Sequence, residues 1–161
     1  MKAVVQRVAR SAVSVVEGDE EHEVGRIGHG LVALIGVAAG DSASEAERLA
    51  RKIATLRIFP DEDGKLNLDV REAGGAVLAV SQFTLLADTR KGRRPSFVSA
   101  ASPDVGEQLY DSLVAHLRAA GLTVHTGRFR THMRVELLND GPVTIILDTD
   151  DWIAPTQQRV G

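Results

Sequence analysis

The sequence predicts an α+β domain with largely antiparallel sheets and two packed helices, and three observations support this. Stretches with alternating apolar and polar residues stand toward both ends of the chain. Two segments between them carry apolar residues at helical spacing behind capping residues, and no repeat or low-complexity linker divides the 161 residues. That length suits one domain, able to bury roughly two-thirds of its unfolded surface around a single core. With 43% hydrophobic and 25% charged residues, the composition is that of a folded protein rather than a disordered one. No apolar run approaches the roughly 18 residues that span a bilayer, so no membrane association is expected. The start, MKAVVQRVARSAVSVV, alternates like a strand and lacks the long apolar stretch and cleavage site of a secretory leader, so it reads as part of the fold. Zero cysteines exclude a disulfide framework and thiolate chemistry and agree with a cytoplasmic location. A net charge of -3 argues against a protein that coats nucleic acid over its whole surface, and leaves room for a local basic patch.

In chain order, residues 2–16 are expected to form one or two strands. An acidic turn, EGDEEHE (17–23), and a glycine-rich approach, GRIGHG (25–30), then lead to the apolar strand LVALIGVA (31–38). Ser42 followed by Glu45 fits a capping box, and Ala46, Leu49, Ala50, Ile53 and Leu56 share one face of a helix running to about residue 58. Pro60 with DEDGK makes a turn and Gly74-Gly75 another, before AVLAVSQFTLL (76–86), the most buried-looking strand. Ser102 as N-cap and Pro103 at the first helical position open a second helix; Val105, Leu109, Leu113 and Leu117 line one face, and Gly121 ends it. LTVHTGRF, THMRVELL and PVTIILD complete the domain as three strands, the last pair linked by NDG as a hairpin corner.

Familiar catalytic patterns are absent: no G-x-S-x-G elbow, no phosphate-binding Walker loop, no H-E-x-x-H. GRIGHG has the wrong spacing and context for a dinucleotide site. The five histidines, His22, His29, His116, His125 and His132, form no i, i+4 pair on a helix, so neither a metal site nor a cofactor is expected. The acidic runs read as solvated turns. What remains is SQFT (81–84) at a strand end and NDGPVT (139–144). Taken alone, Ser81, Gln82 and Thr84 are equally well explained as strand terminators that bond the last backbone groups. Asn139, Asp140, Gly141 and Pro142 alone read as a turn before an edge strand.

Together, in this order and with this helical layout between them, the motifs resemble those of the D-aminoacyl-tRNA deacylases of the bacterial and eukaryotic type. The likeness runs from MKAVVQRV through KLNLDV, AGGAVLAVSQFTLLADTRKGRRPSF, ASPD and TGRF to NDGPVTIIL. It implies a barrel-like deacylase domain over residues 1–147, with 148–161 as a C-terminal extension. Trp152 in that extension is read as an anchor on the surface or across a subunit boundary, or as part of a mobile tail. The implied reaction is hydrolysis of the ester of D-aminoacyl-tRNA, with glycyl-tRNA as a second substrate and L-aminoacyl-tRNA refused. The resemblance further implies a homodimer in which Gly141 and Pro142, joined by a cis bond, enter the partner subunit's site.

Their carbonyls would meet the substrate's α-carbon and amine and leave room for hydrogen alone on one face. Glycine at 141 removes the Cβ that would block the approach, and proline at 142 fixes φ at about -65°. Asn139 and Thr144 would hold the corner in shape, Arg7 would orient it, and Met133 and Ala101 would line the pocket. Those last three are equally compatible with ordinary packing. Backbone N–H groups around Gln82, Phe83 and Thr84 are expected to stabilise the oxyanion, with Ser81 and Gln82 positioning substrate. Phe83 offers either a stacking face for adenine or a core contact. Thr84 has no neighbouring base in the motif to activate it, which favours attack by water helped by the adenosine's 2′-hydroxyl. Arg90, Lys91, Arg93 and Arg94 in TRKGRR suit acceptor-stem phosphates, or are simply a solvated loop. Two rival readings are a non-catalytic RNA-binding module and a threonine-dependent amidase.

Overall fold

One strand organises the molecule. In the computed structural model, which describes residues 1–152, β1 runs unbroken over Lys2–Glu17 and pairs antiparallel with three other strands. Its alternation buries Ala3, Val5, Val13 and Val15 completely. The acidic segment expected to be a turn is mostly strand. Only Gly18 and Asp19 turn, Gly18 with a φ of 63°, and β2 (Glu20–Ile27) returns along the second half of β1. The signal was hidden because residues 20–23 are exposed and carry charge on both faces. Arg134 pairs with Glu21, and Arg128 with Glu17 beside the hairpin's turn.

Strand β3 (Gly30–Gly36) lies beside the first half of β1. Helix α1 (Ala43–Thr55) starts at the expected capping box: the Ser42 hydroxyl accepts from Ser44 N–H, and the Glu45 carboxylate accepts from Ser42 N–H at 2.8 Å. It ends about a turn before residue 58, because Leu56 is extended and the chain leaves to build a small hairpin, β4 (Phe59–Pro60) and β5 (Leu66–Leu68). Strand β6 (Ala76–Ser81) is parallel to β3.

Helix α2 (Pro103–Ala119) buries Leu109, Tyr110, Leu113, Val114 and Leu117, whereas Val105 is 42% exposed. The expected stripe of four-residue steps drifts about 40° past a full turn at each step, which carries Val105 off the face that Leu117 occupies. Buried Tyr110 donates from its hydroxyl to the Ala79 carbonyl at 2.8 Å, tying α2 to β6. From LTVHTGRF only β7 (Val124–Thr126) is strand, parallel to β6.

The largest departure is at the chain's end. The two strands expected around an NDG hairpin are one, β8 (Met133–Asp148), which runs antiparallel to β1 on both sides of the motif. Asn139 faces Val8 and Thr144 faces Gln6, so the single residue Arg7 opposes residues 140–143, which bulge from the ladder. A hairpin would have reversed direction; the bulge keeps it and pushes the corner outward.

The resulting mixed sheet buries one face under α1 and α2, where Leu31, Ile35, Leu49, Ile53, Leu113 and Leu117 meet. Its other face closes on itself around Val8, Val13, Ile27, Val32, Leu78 and Val80. Gly25 of β2 sits so close to β7 that a Cβ there would lie 2.9 Å from the Thr126 carbonyl oxygen, which makes the sheet nearly a barrel. A 3-10 turn (Thr149–Trp152) follows β8 and sets Trp152 against α1, its ring 5.8 Å from Arg48 Cζ and 5.6 Å from Lys52 Nζ. Residues 153–161 of the expected extension lie outside the described residues. Among the described residues no helix is long and apolar enough to cross a membrane.

The capping box gives a stability test. Ser42→Ala is expected to cost about 1 kcal/mol in urea denaturation at neutral pH. The Ser42 hydroxyl and amide hold the Glu45 carboxyl below its ordinary value of 4.5. Its contribution is therefore complete above that value and lost as pH falls through the lowered folded one, so the gap between wild type and Glu45→Gln should close on acidification.

Candidate active site

Strand β6 does not continue through Leu86 as its apolar run suggested. It ends at Ser81, level with Ile35 of β3, and a 3-10 turn (Phe83–Leu86) follows. Gln82 N–H is consumed by the Ile35 carbonyl at 2.7 Å, so it is not one of the donors expected for an oxyanion. The turn's own hydrogen bonds begin with Leu85 N–H to the Gln82 carbonyl. The amides of Phe83 and Thr84 precede that first bond and are left free by it. The Gln82 side-chain amide donates to the Thr84 hydroxyl, giving that oxygen a proton rather than taking one.

These residues border a pocket of about 560 Å³. Ser81, Gln82 and Phe83 contribute to the lining, as do Ala101 just before α2, Gly106 in its first turns, and Met133 at the start of β8. Thr84 is exposed and does not line it. Ala101 is fixed by its amide, which donates to the Val37 carbonyl at 3.0 Å. Met133 is fixed by Gly127, where any Cβ would collide with its sulfur. The Phe83 ring is 57% exposed and meets Phe97 edge-on at 5.0 Å, which removes the core alternative. Phe129, Arg130 and His132 also line the pocket, and the sequence analysis did not anticipate them. The available signal was TGRF (126–129), shortly before β8, read as strand and as part of the family likeness but not as pocket wall.

The second motif forms a corner outside that pocket's lining. Arg7 is 9% exposed; its Nε donates to the Asp140 carbonyl at 2.9 Å and its Nη1 to the Ile58 carbonyl at 2.6 Å. Asn139 brackets the bulge, accepting from Val143 N–H at 2.8 Å and donating to the Val143 carbonyl and the Thr144 hydroxyl. Gln6 of β1 donates to that same hydroxyl. Gly141 has a φ of 135°, and a Cβ there would stand 3.0 Å from the Arg7 guanidinium, so only glycine fits. The bond to Pro142 is cis, and both residues are exposed. Ser81, Gln82, Phe83, Ala101 and Met133 thus share one pocket, while Arg7, Asn139, Gly141, Pro142 and Thr144 build an outward-facing corner.

The basic loop splits by role. Arg90 holds Asp88 through two hydrogen bonds, 2.9 and 2.6 Å, and this keeps the Asp88 carboxyl well below the usual carboxylate range. Lys91, Arg93 and Arg94 are exposed and form no ion pair among the described residues. Mutual backbone bonds between Asp88 and Ser96 close the loop's base.

A family model described as D-Tyr-tRNA(Tyr) deacylase matches residues 4–148. The chain is 57% identical over 150 residues to a D-aminoacyl-tRNA deacylase of Symbiobacterium thermophilum, covering 93% of this chain and 97% of that one. It is 53% identical over 159 residues to one of a Roseiflexus species, covering 99% and 100%. Among solved structures it is similar to a c-Myc DNA unwinding element binding protein, with a TM-score of 0.83, 41% identity, and 92% and 98% of the two chains covered. It shares the fold of a probable eukaryotic D-amino acid tRNA deacylase, with a TM-score of 0.76, 19% identity, and coverage of 91% and 97%.

The corner's support can be measured directly. Arg7→Ala leaves two carbonyls without their donor and should lower folding stability by about 2 kcal/mol in urea titration. Arg7→Lys should recover only part of this, since a single ammonium does not reproduce the guanidinium's fork.

Proposed function

The chain belongs to the D-Tyr-tRNA(Tyr) deacylase family, and from that premise we propose how it hydrolyses the ester of D-aminoacyl-tRNA and refuses the L form. The observation that carries the reading is that Gly141 and Pro142 are exposed, firmly held, and outside the lining of their own chain's pocket. A corner so built suits insertion into the pocket of a second copy, in a homodimer with two shared sites. There the carbonyls of residues 141 and 142 take the substrate's ammonium and crowd its α-carbon. Hydrogen fits on that side of the carbon and an L side chain does not, so a D side chain of any size points away into open space. Selection by exclusion at the α-carbon suits an enzyme that must accept many side chains. Glycine, with hydrogen on both sides, passes the same test, which makes glycyl-tRNA a second substrate.

Phe83 presents its exposed ring to the terminal adenine, and Ser81 and Gln82 orient the ribose ester. Water adds to the ester carbonyl, and the oxyanion that forms takes hydrogen bonds from the amides of Phe83 and Thr84. The adenosine's 2′-hydroxyl assists as a relay, taking a proton from the attacking water while passing its own to the departing 3′-oxygen. Collapse then breaks the bond to the 3′-oxygen, which leaves with a proton, releasing D-amino acid and tRNA. Thr84 positions Gln82 and is not a nucleophile, consistent with the hydrogen bond it accepts. Lys91, Arg93 and Arg94 contact acceptor-stem phosphates, while Arg90 braces their loop through Asp88. Residues 1–147 form the deacylase domain, working in the cytoplasm where its tRNA substrates are.

Incubation with D-tyrosyl-tRNA and L-tyrosyl-tRNA should release D-tyrosine alone; release of both, or of neither, would overturn the reading. Thr84→Ala should retain measurable deacylation in the same assay, whereas a trapped acyl-threonine in the parent protein would make Thr84 the nucleophile. Arg93→Gln combined with Arg94→Gln should weaken tRNA binding and flatten its dependence on salt; affinity unchanged across a salt series would remove the loop from the tRNA surface.

A further inference from the structure

The pocket's lining holds one permanently charged side chain, Arg130, and no carboxylate. Arg130 is also the only non-glycine residue with a positive φ among the described residues, at 57°. An arginine gains nothing from that left-handed conformation, which favours glycine, so its presence at the pocket is a cost that function can explain. The segment around it is fixed. Gly127 N–H donates to the Ala79 carbonyl at 3.2 Å, Thr131 donates from its hydroxyl to the Arg128 carbonyl at 2.8 Å, and the His132 carbonyl accepts from Val16 N–H at 2.8 Å. The neighbouring cations are committed, Arg128 to Glu17 and Arg134 to Glu21, while Arg130 forms no ion pair among the described residues. An exposed, strained and uncommitted arginine on the rim of an otherwise uncharged pocket lining is suited to an anion that arrives with the substrate.

Resting on the deacylase reading above, we propose that Arg130 binds the phosphate on the 5′ side of the terminal adenosine. It would thereby set the depth at which the ester enters the pocket. The substrate's other charge, the α-ammonium, is repelled by Arg130 and so directed toward the far side of the pocket. A single phosphate and a single cation thus fix which end of the aminoacyl-adenosine goes where. This role is separate from that of Lys91, Arg93 and Arg94, which lie on an exposed loop outside the pocket's lining.

The test compares two small substrates that differ by one group: the D-tyrosyl ester of adenosine, and the D-tyrosyl ester of adenosine 5′-phosphate. For wild type, kcat/KM should be higher for the phosphorylated ester by about tenfold or more, the range expected for a charge-assisted hydrogen bond. In Arg130→Gly, which suits the backbone conformation and so protects folding, the ratio between the two esters should fall to about one. Arg130→Lys should restore part of it. A wild-type ratio of one, or a ratio unchanged in Arg130→Gly, overturns the proposal while leaving the deacylase reading intact. Failure of wild type to hydrolyse either ester or D-tyrosyl-tRNA overturns the deacylase reading, and this proposal with it.

Discussion

The buried guanidinium of Arg7 is the contact on which the rest of the site depends. It leaves β1 opposite the widest irregularity in the sheet and satisfies two carbonyls that no strand partner reaches, one in the bulge and one just after α1. A charge this little exposed is costly to desolvate, and the Asp140 carboxylate, 3.9 Å away and itself largely exposed, offsets only part of that cost. What compensates is full use of directional donors. Without them the ladder between β1 and β8 has no reason to tolerate four residues where one would pair, and those residues would be free to relax. Arg7 fixes the bulge from inside and Asn139 from its two ends. Gly141 and Pro142 are thereby presented as a rigid shape on the outside of the molecule.

Rigidity matters for the chemistry proposed. Refusing an L side chain by lack of space works only if the excluding atoms do not yield, because a corner that moves by a fraction of an ångström admits what it should reject. The catalytic demand is smaller. An aminoacyl ester is labile, and in the proposed reaction two backbone amides of the turn after β6, with an oriented water, would suffice for its hydrolysis without an activated side chain. The site therefore depends on main-chain geometry, and its side chains chiefly hold that geometry in place.

Much of this was legible in the sequence, and what was not has definite physical causes. The capping box at Ser42 and the Ser-Pro start at 102 are local signals, and both helices begin where they indicate. Strand β2 escaped notice because its outer half is charged on both faces, which erases the alternation. The N-D-G-P run has every residue preference of a reversing turn, yet β8 continues through it. Direction there is set by pairing with β1, on the far side of the sequence. The same kind of tertiary contact removed Gln82 N–H from the expected donors, since its partner, Ile35, belongs to a strand far away in sequence. Arg130 was invisible for a simpler reason: nothing in T-G-R-F-R-T-H marks which arginine takes a left-handed backbone.

The account's central claim is that the corner of one protomer completes the pocket of another, and subunit mixing tests it most directly. One variant carries Gln82→Ala together with Ser81→Ala, which disables its pocket; the other carries Gly141→Val, which disables its corner. Each alone should be inactive toward D-tyrosyl-tRNA. Unfolded and refolded together in equal amounts, they should regain about one quarter of wild-type activity, because half the dimers are mixed and each mixed dimer holds one intact site of two. Dimers that mix, shown by native mass spectrometry, and yet recover no activity would mean that the corner serves only its own chain, contradicting the account.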